Sequence, residues 1–206
     1  IKHELYDYTL PEIGSPRWLY LSSLAANSLP FHTALEAYLA AHPEVKLAFQ
    51  PGTYQMQFGA SALAAIYSKS ALCVCNVEEA RHILGTNEDD IRKLLDGMTA
   101  LGPDIVAITD GIRGAYAAAG GRAWFMPPYP DPKPPLERTG AGDAFSATFA
   151  IALALGLDIS AALRWAPVNS MSVVQDVGAR AGLLGRGDLE GYLARAPAGY
   201  APRELT

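Results

Sequence analysis

The residues Thr139-Gly140-Ala141-Gly142-Asp143, running into Ala144-Phe145-Ser146-Ala147-Thr148-Phe149-Ala150, combine two glycines, an acid and an apolar run. This pattern predicts a tight turn that opens directly into a helix, with no bulky side chain guarding the backbone at Gly140 and Gly142. The first amides of a helix lack internal partners and lie at the positive end of its dipole. They suit a phosphate or another developing anion. Asp143 stands where a carboxylate would act as acid or base beside that anion. Read locally, the same residues also describe an ordinary helix start.

Two further clusters carry polar groups at turn positions. Asn76 and Glu79 follow an apolar run and are three apart at a helix start, which puts them on one side of its first turn. That spacing is also a capping box variant. Thr109-Asp110-Gly111-Ile112-Arg113-Gly114 follows a second apolar run and reads as a turn closing a strand. His3, His32, His42 and His82 are scattered, form no ligand pair and read as surface or helix residues.

The elements that must hold these groups alternate. Strands are expected at Ile1–Thr9, Arg17–Ser22, Val45–Phe49, Ala71–Cys75 and Asp104–Thr109. Helices are expected at Leu29–Ala41, Gly59–Lys69, Val77–Leu84, Glu88–Leu101 (capped by Asn87), Asp143–Leu155, Ile159–Gln175 with a break or delay at Pro167, and Asp188–Ala194. Ala115–Ala119 and Arg122–Met126 flank Gly120-Gly121 and read as a hairpin. Pro127 to Pro135 is proline-rich and therefore stiff and extended. Short strands apolar on both faces, alternating with helices, predict an α/β fold: a doubly wound, mainly parallel sheet with helices on both faces. Ligands of such sheets bind at the carboxyl ends of strands. Asn76, Thr109 and Gly140 are expected on that rim. Gln50 to Gln55 follows the Val45–Phe49 strand onto the same rim, with no fixed role.

Thr139-Gly140-Ala141-Gly142-Asp143 and its helix closely resemble the second signature of the ribokinase-like (PfkB-type) carbohydrate kinases. Asn76-Val77-Glu78-Glu79 is similar to that family's Asn-x-x-Glu motif, and Thr109 to Gly114 to its Thr-x-Gly-x-x-Gly stretch. The resemblance implies that Asp143 is the catalytic base and that the Gly140, Ala141 and Gly142 amides form the anion hole. It implies that Thr109, Gly111, Gly114 and Thr139 lie along ATP, and that Asn76 and Glu79 help position Mg²⁺ and its waters. Residues 166–169 and 174–179 resemble the segment that packs around adenine, which brings in Asn169 and Gly178. The sequence departs from the family before the turn. Glu137 replaces the usual Asp two residues before the Thr, and Arg138 is unusual there. Arg138 reads either as extra positive charge for the transferring phosphoryl group or as a solvent-facing residue.

The chain of 206 residues carries a net charge of -5 and no Lys/Arg run, which argues against a nucleic-acid partner. No apolar stretch reaches membrane-spanning length. Cys73 and Cys75, two apart on a strand, suit neither a mutual disulfide nor a zinc site, and read as buried thiols of a reduced, cytoplasmic protein. Residues 1–9 are expected to be the end of a lid strand, and 10–206 part of a nucleotide-binding and catalytic α/β domain. Most of the lid and the substrate half would lie upstream. The expected activity is transfer of the ATP γ-phosphate to a hydroxyl of a small sugar or nucleoside-like molecule. A homodimer through the lid of the longer protein is the accompanying expectation. The rival is a nucleotide-binding module without catalysis. A Rossmann-type dehydrogenase fits poorly, because no Gly-x-Gly-x-x-Gly opens the first strand–helix unit.

Overall fold

The computed structural model describes residues 6–205. Among the described residues, seven strands and eight α-helices make up a mixed α/β fold. The chain divides into two compact units, one ending at Val106 and the other beginning at Ala107.

In the first unit β1 (Trp18–Leu21), β2 (Lys46–Phe49) and β3 (Ser70–Asn76) pair in parallel. Trp18 faces Lys46, and Leu21 faces Phe49. A register shift between Leu47 and Ala48 interrupts the β2–β3 ladder. Leu47, Phe49, Leu72 and Cys73 are fully buried, as strands covered on both faces require. Helix α1 (Leu29–Ala41) follows β1 as its spacing predicts. After β2, α2 (Thr53–Phe58) forms where no helix was expected, and the alanine-rich helix expected over Gly59–Lys69 is reduced, after a turn, to α3 (Ala64–Ser68). Gly59, at φ +86°, ends α2. Gln55 starts it: its Oε1 accepts from the Gly52 amide at 2.8 Å and its Nε2 donates to the Ser22 carbonyl at 2.8 Å. The segment expected on the rim is thus a helix start with its glutamine buried.

Helix α4 (Val77–Leu84) ends at Gly85 in the left-handed conformation, as expected. Helix α5 (Ile91–Ala100) begins later than expected, capped by Asp90 rather than Asn87. The cause is Glu88, whose Oε1 turns to accept from the Asp89 and Asp90 amides, both at 3.0 Å. Tyr6 to Thr9 form no strand, and the rest of that expected strand, Ile1–Leu5, lies outside the described residues.

Strand β4 (Val106–Thr109) crosses the division of the chain. In the second unit β5 (Ala115–Ala119) and β6 (Arg122–Met126) form the predicted hairpin, with Ala119 opposite Arg122. Gly120 and Gly121 both take positive φ, the geometry of a type I′ turn. Strand β7 (Arg203–Leu205), which no sequence signal announces, pairs antiparallel to β6. Helices α6 (Ala141–Ala154) and α7 (Ile159–Val173) pack on each other. Their buried Ala144, Ala152, Ala162 and Ala166 are small enough for close approach. Helix α7 continues through Pro167; one missing amide does not break a helix packed along its length. Helix α8 (Arg186–Ala194) closes the unit.

Candidate active site

Helix α6 starts two residues before the expected position, with Gly140 as its N-cap at φ +84°. Two facts require glycine there. The left-handed backbone disfavours any side chain. A Cβ would also stand 2.8 Å from the Ala179 Cβ and 2.9 Å from its Cα. The helical ladder opens with the Ala144 amide donating to the Gly140 carbonyl at 2.8 Å, so the preceding amides lie ahead of the ladder. The Ala141 amide, one of the three expected in the anion hole, instead donates to the Arg138 carbonyl at 3.3 Å. Gly142 is exposed, and a Cβ on it would meet nothing within 4 Å. Its backbone is therefore open to close approach by a ligand.

The turn is fastened from two sides. The Ser170 hydroxyl donates to the Ala141 carbonyl at 2.7 Å, and the Ser146 hydroxyl to the Gly142 carbonyl at 2.9 Å. Before the turn, the Glu137 carboxylate takes a hydrogen bond from the Thr139 side chain and one from the Gly178 amide at 2.9 Å. These bonds, the Thr139 one foremost, hold its carboxyl below the usual range. The Leu136 amide donates to the Val174 carbonyl at 2.8 Å, tying the same segment to the end of α7. Thr139 and Gly178 thus meet through Glu137.

The segment after β4 forms a 3-10 turn, Gly111–Arg113. The Asp110 amide donates to the Gly114 carbonyl at 2.8 Å, and the Arg113 guanidinium donates twice to the Asp110 carboxylate, at 2.7 and 2.6 Å. Gly111, at φ +55°, is open around its Cα. Gly114 is a packing glycine: a Cβ there would lie 2.4 Å from the Met126 carbonyl oxygen.

A cleft with about 160 Å³ of open interior brings these pieces together within the second unit. Thr109, Gly111 and Gly114 line it together with Arg138, Ala141 and Gly142. Pro128, Tyr129, Phe145, Pro167, Met171 and Val174 supply apolar walls. Tyr129 is held firmly: its hydroxyl donates to the Tyr192 carbonyl at 2.9 Å and its ring packs edge-on against Tyr192 and Tyr200. Nothing in the sequence marked Tyr129 or Met171, because their place depends on the path of the proline-rich segment and on the face of α7. Arg138 is exposed and is among the residues lining the cleft. Asp143 does not line this cleft; it is exposed on the first turn of α6, next to Gly142.

Asn169 is not in the cleft. It is buried in α7, donates from Nδ2 to the Thr148 hydroxyl at 2.9 Å and accepts at Oδ1 from the Leu184 amide at 3.0 Å. Its amide links α6, α7 and the following loop, and it is neither a surface residue nor a wall of the cleft.

In the first unit Asn76 and Glu79 form a reciprocal capping box. Asn76 Oδ1 accepts from the Glu79 amide and Glu79 Oε2 from the Asn76 amide, both at 2.8 Å. With its oxygen used this way, the Asn76 side chain suits contact with a cation's water shell better than direct ligation. Among the described residues, no group of three or more His, Cys, Asp or Glu side chains is placed to hold a metal ion. Cys73 and Cys75 are free and buried, as expected. Among the described histidines, His32 is the buried one. Its Nδ1 donates to the Ser28 carbonyl at 2.7 Å, and burial moves its pKa down. His3 lies outside the described residues. No helix among those described is long and apolar enough to cross a membrane.

Comparison with known proteins gives this geometry a family. The description "pfkB family carbohydrate kinase" matches residues 2–184. Over 95 residues the sequence is 41% identical to the ribokinase of Bacillus subtilis (strain 168), covering 46% of this chain and 32% of that protein. Among solved structures, fructokinase from Vibrio cholerae O395, bound to fructose, ADP and calcium, matches with a TM-score of 0.72 at 19% identity, over 89% of this chain and 63% of that one. The nucleoside kinase of Methanocaldococcus jannaschii matches with a TM-score of 0.73 at 18% identity, over 90% of this chain and 58% of that one. The chain therefore spans about a third of the length of the curated relative and about 60% of these solved structures. The family match runs through the glycine turn, the 3-10 turn after β4 and the capping box alike, and the chain belongs to the pfkB family of carbohydrate kinases.

Proposed function

We propose that this chain carries the nucleotide-binding and phosphoryl-transfer portion of an ATP-dependent kinase whose acceptor is a hydroxyl of a sugar or nucleoside-like small molecule. The observation that carries this reading is the cleft of the second unit. It combines an exposed helix start at Gly142, an arginine and apolar walls, with the Asp143 carboxylate on the adjoining turn. Apolar walls suit a nucleobase, and a helix N-terminus suits phosphate. Fructose and ADP in the Vibrio cholerae fructokinase point to the same pair of ligands.

On this reading Asp143 takes the proton of the acceptor hydroxyl as the hydroxyl oxygen attacks the γ-phosphorus of ATP in line, while the bond to the β–γ bridging oxygen breaks and ADP leaves. The Gly142 amide and the dipole of α6 face the charge that builds on the transferring group. Ser170 and Ser146 hold the turn so that this geometry exists before the substrates arrive. Thr109 and Gly111 flank the polyphosphate, with Thr139 and Gly178 supporting through Glu137. Asn76 and Glu79 fit an outer-shell role toward a divalent cation, their orientation fixed by the capping box. Bound Mg²⁺ would supply charge neutralisation on the phosphates. A cytoplasmic location belongs to the same reading, since Cys73 and Cys75 are free thiols. So do an upstream lid, a substrate half and a dimer formed through that lid.

The test is Asp143→Asn. Turnover with ATP and a panel of sugars and nucleosides should fall by about 10²–10⁴-fold. ATP affinity should stay within about twofold, because the exposed carboxylate is exchanged for an amide of the same shape. Unchanged turnover would refute the base assignment. One observation favours a second reading, a module that binds ATP without phosphorylating any acceptor: Asp143 is not among the residues that line the cleft. Stoichiometric ATP binding with no product from any acceptor, in this chain and in one extended upstream, would select it.

A further inference from the structure

Arg138 stands two residues before Gly140, at a position where the resemblance makes an arginine unusual, and it lines the cleft together with Gly142 and Thr109. Arg81, Arg92, Lys93, Arg113, Arg122 and Arg186 all pair with carboxylates. Among the described residues, Arg138 forms no such pair. The nearby acids have other partners. Glu137 binds Thr139 and Gly178, and Asp131 accepts from Gln175 Nε2 at 3.3 Å. Ser170, also on the cleft wall, directs its hydroxyl proton to the Ala141 carbonyl. Arg138 is also a cation just ahead of a helix N-terminus, where the dipole favours negative charge and opposes positive charge. Two positive features facing one cleft are mutually unfavourable until an anion lies between them.

We infer that Arg138 is a phosphate-positioning residue of this chain: its guanidinium grips the terminal phosphates of a nucleoside di- or triphosphate in the cleft, alongside the Gly142 amide. The inference rests on the nucleotide reading above. A planar guanidinium can donate two parallel hydrogen bonds to a phosphate, which an ammonium cannot. This role explains why an exposed arginine occupies a turn otherwise built from small residues.

The experiment measures equilibrium binding of ATP, ADP and adenosine by calorimetry to wild type, R138Q and R138K. R138Q should bind ATP and ADP about tenfold or more weakly. Adenosine affinity should be unchanged, which separates a phosphate contact from a general disturbance of the cleft. R138K should recover part of the loss, since it keeps the charge but not the fork. Equal ATP affinity in wild type and R138Q overturns the inference and leaves the nucleotide reading standing. Equal losses for ATP and adenosine, in R138Q or R138K, also overturn it. A wild-type chain that binds neither ATP nor ADP overturns both.

Discussion

Gly140 and Gly142 are two residues apart in one motif, yet they should respond oppositely to the same added methyl group. At Gly140 an alanine would sit at φ +84°, where an L-residue loses about 1–2 kcal/mol relative to the right-handed region. Its Cβ would also lie 2.8–3.0 Å from three atoms of Ala179, two of them backbone. Relieving such overlap typically costs about 1–3 kcal/mol. Together these give Gly140→Ala roughly 2–5 kcal/mol of destabilisation. For a chain of this length that corresponds to about 4–20 °C in Tm. At Gly142 the φ is ordinary for a helix and the added Cβ would touch nothing within 4 Å. Alanine is the better helix former there, so Gly142→Ala should be neutral or stabilising by up to about 1 kcal/mol. The methyl would, however, fill open space where the proposed reading places a phosphate against the backbone. ATP-dependent turnover, or ATP affinity if the chain alone does not turn over, should then fall by about tenfold or more. Thermal unfolding by circular dichroism, with calorimetric titration of ATP, reads both effects. A Gly140→Ala protein melting within about 1 °C of wild type would sink the argument that Ala179 and the left-handed backbone impose glycine. A Gly142→Ala protein that keeps full ATP affinity and turnover would remove that amide from the phosphate site.

Two more outcomes follow from the first unit. Asn76→Ala should destabilise the protein by about 0.5–2 kcal/mol through loss of the cap on α4. If Asn76 also touches a cation's water shell, the Mg²⁺ concentration giving half-maximal ATP turnover or binding should rise; a stability loss with an unchanged Mg²⁺ dependence would leave the residue a cap alone. Burial pushes the Cys73 thiol up to about 12 and that of Cys75 well above its ordinary value, with the Glu79 carboxylate acting in the same direction at Cys73. The folded thiols therefore keep their protons where the unfolded ones lose them. This contribution is intact below about pH 9, and stability should decline as pH rises from there towards 12, by up to about 1.4 kcal/mol per pH unit for each thiol. Urea unfolding of wild type and Cys73→Ala across pH 8 to 10.5 tests it, and equal slopes in the two proteins would contradict it. In native protein at pH 8 neither thiol should react with iodoacetamide, whereas both should in urea.

The sequence by itself determined the parts that depend on local chain geometry. The glycine turn and its helix, the Gly120-Gly121 hairpin, the α4 helix from Asn76 to Gly85 and the buried strands were legible because glycine, caps and apolar runs act over a few residues. Those same motifs carried the family. The tertiary structure decided whatever depended on a partner distant in the chain. Asn169 was placed in the nucleotide site, yet Thr148 and the Leu184 amide hold it in the core. A helix was expected over Gly59–Lys69, yet only Ala64–Ser68 is helical there, while Gln55 reaching Ser22 starts a separate helix that stops at Gly59. Strand β7 exists because β6 offers it an edge. Arg138 and Tyr129 became walls of a cleft only when the proline-rich segment was laid against α7. Local codes act through a few bonds of one chain, whereas a binding surface is assembled from side chains that meet only after the chain has folded.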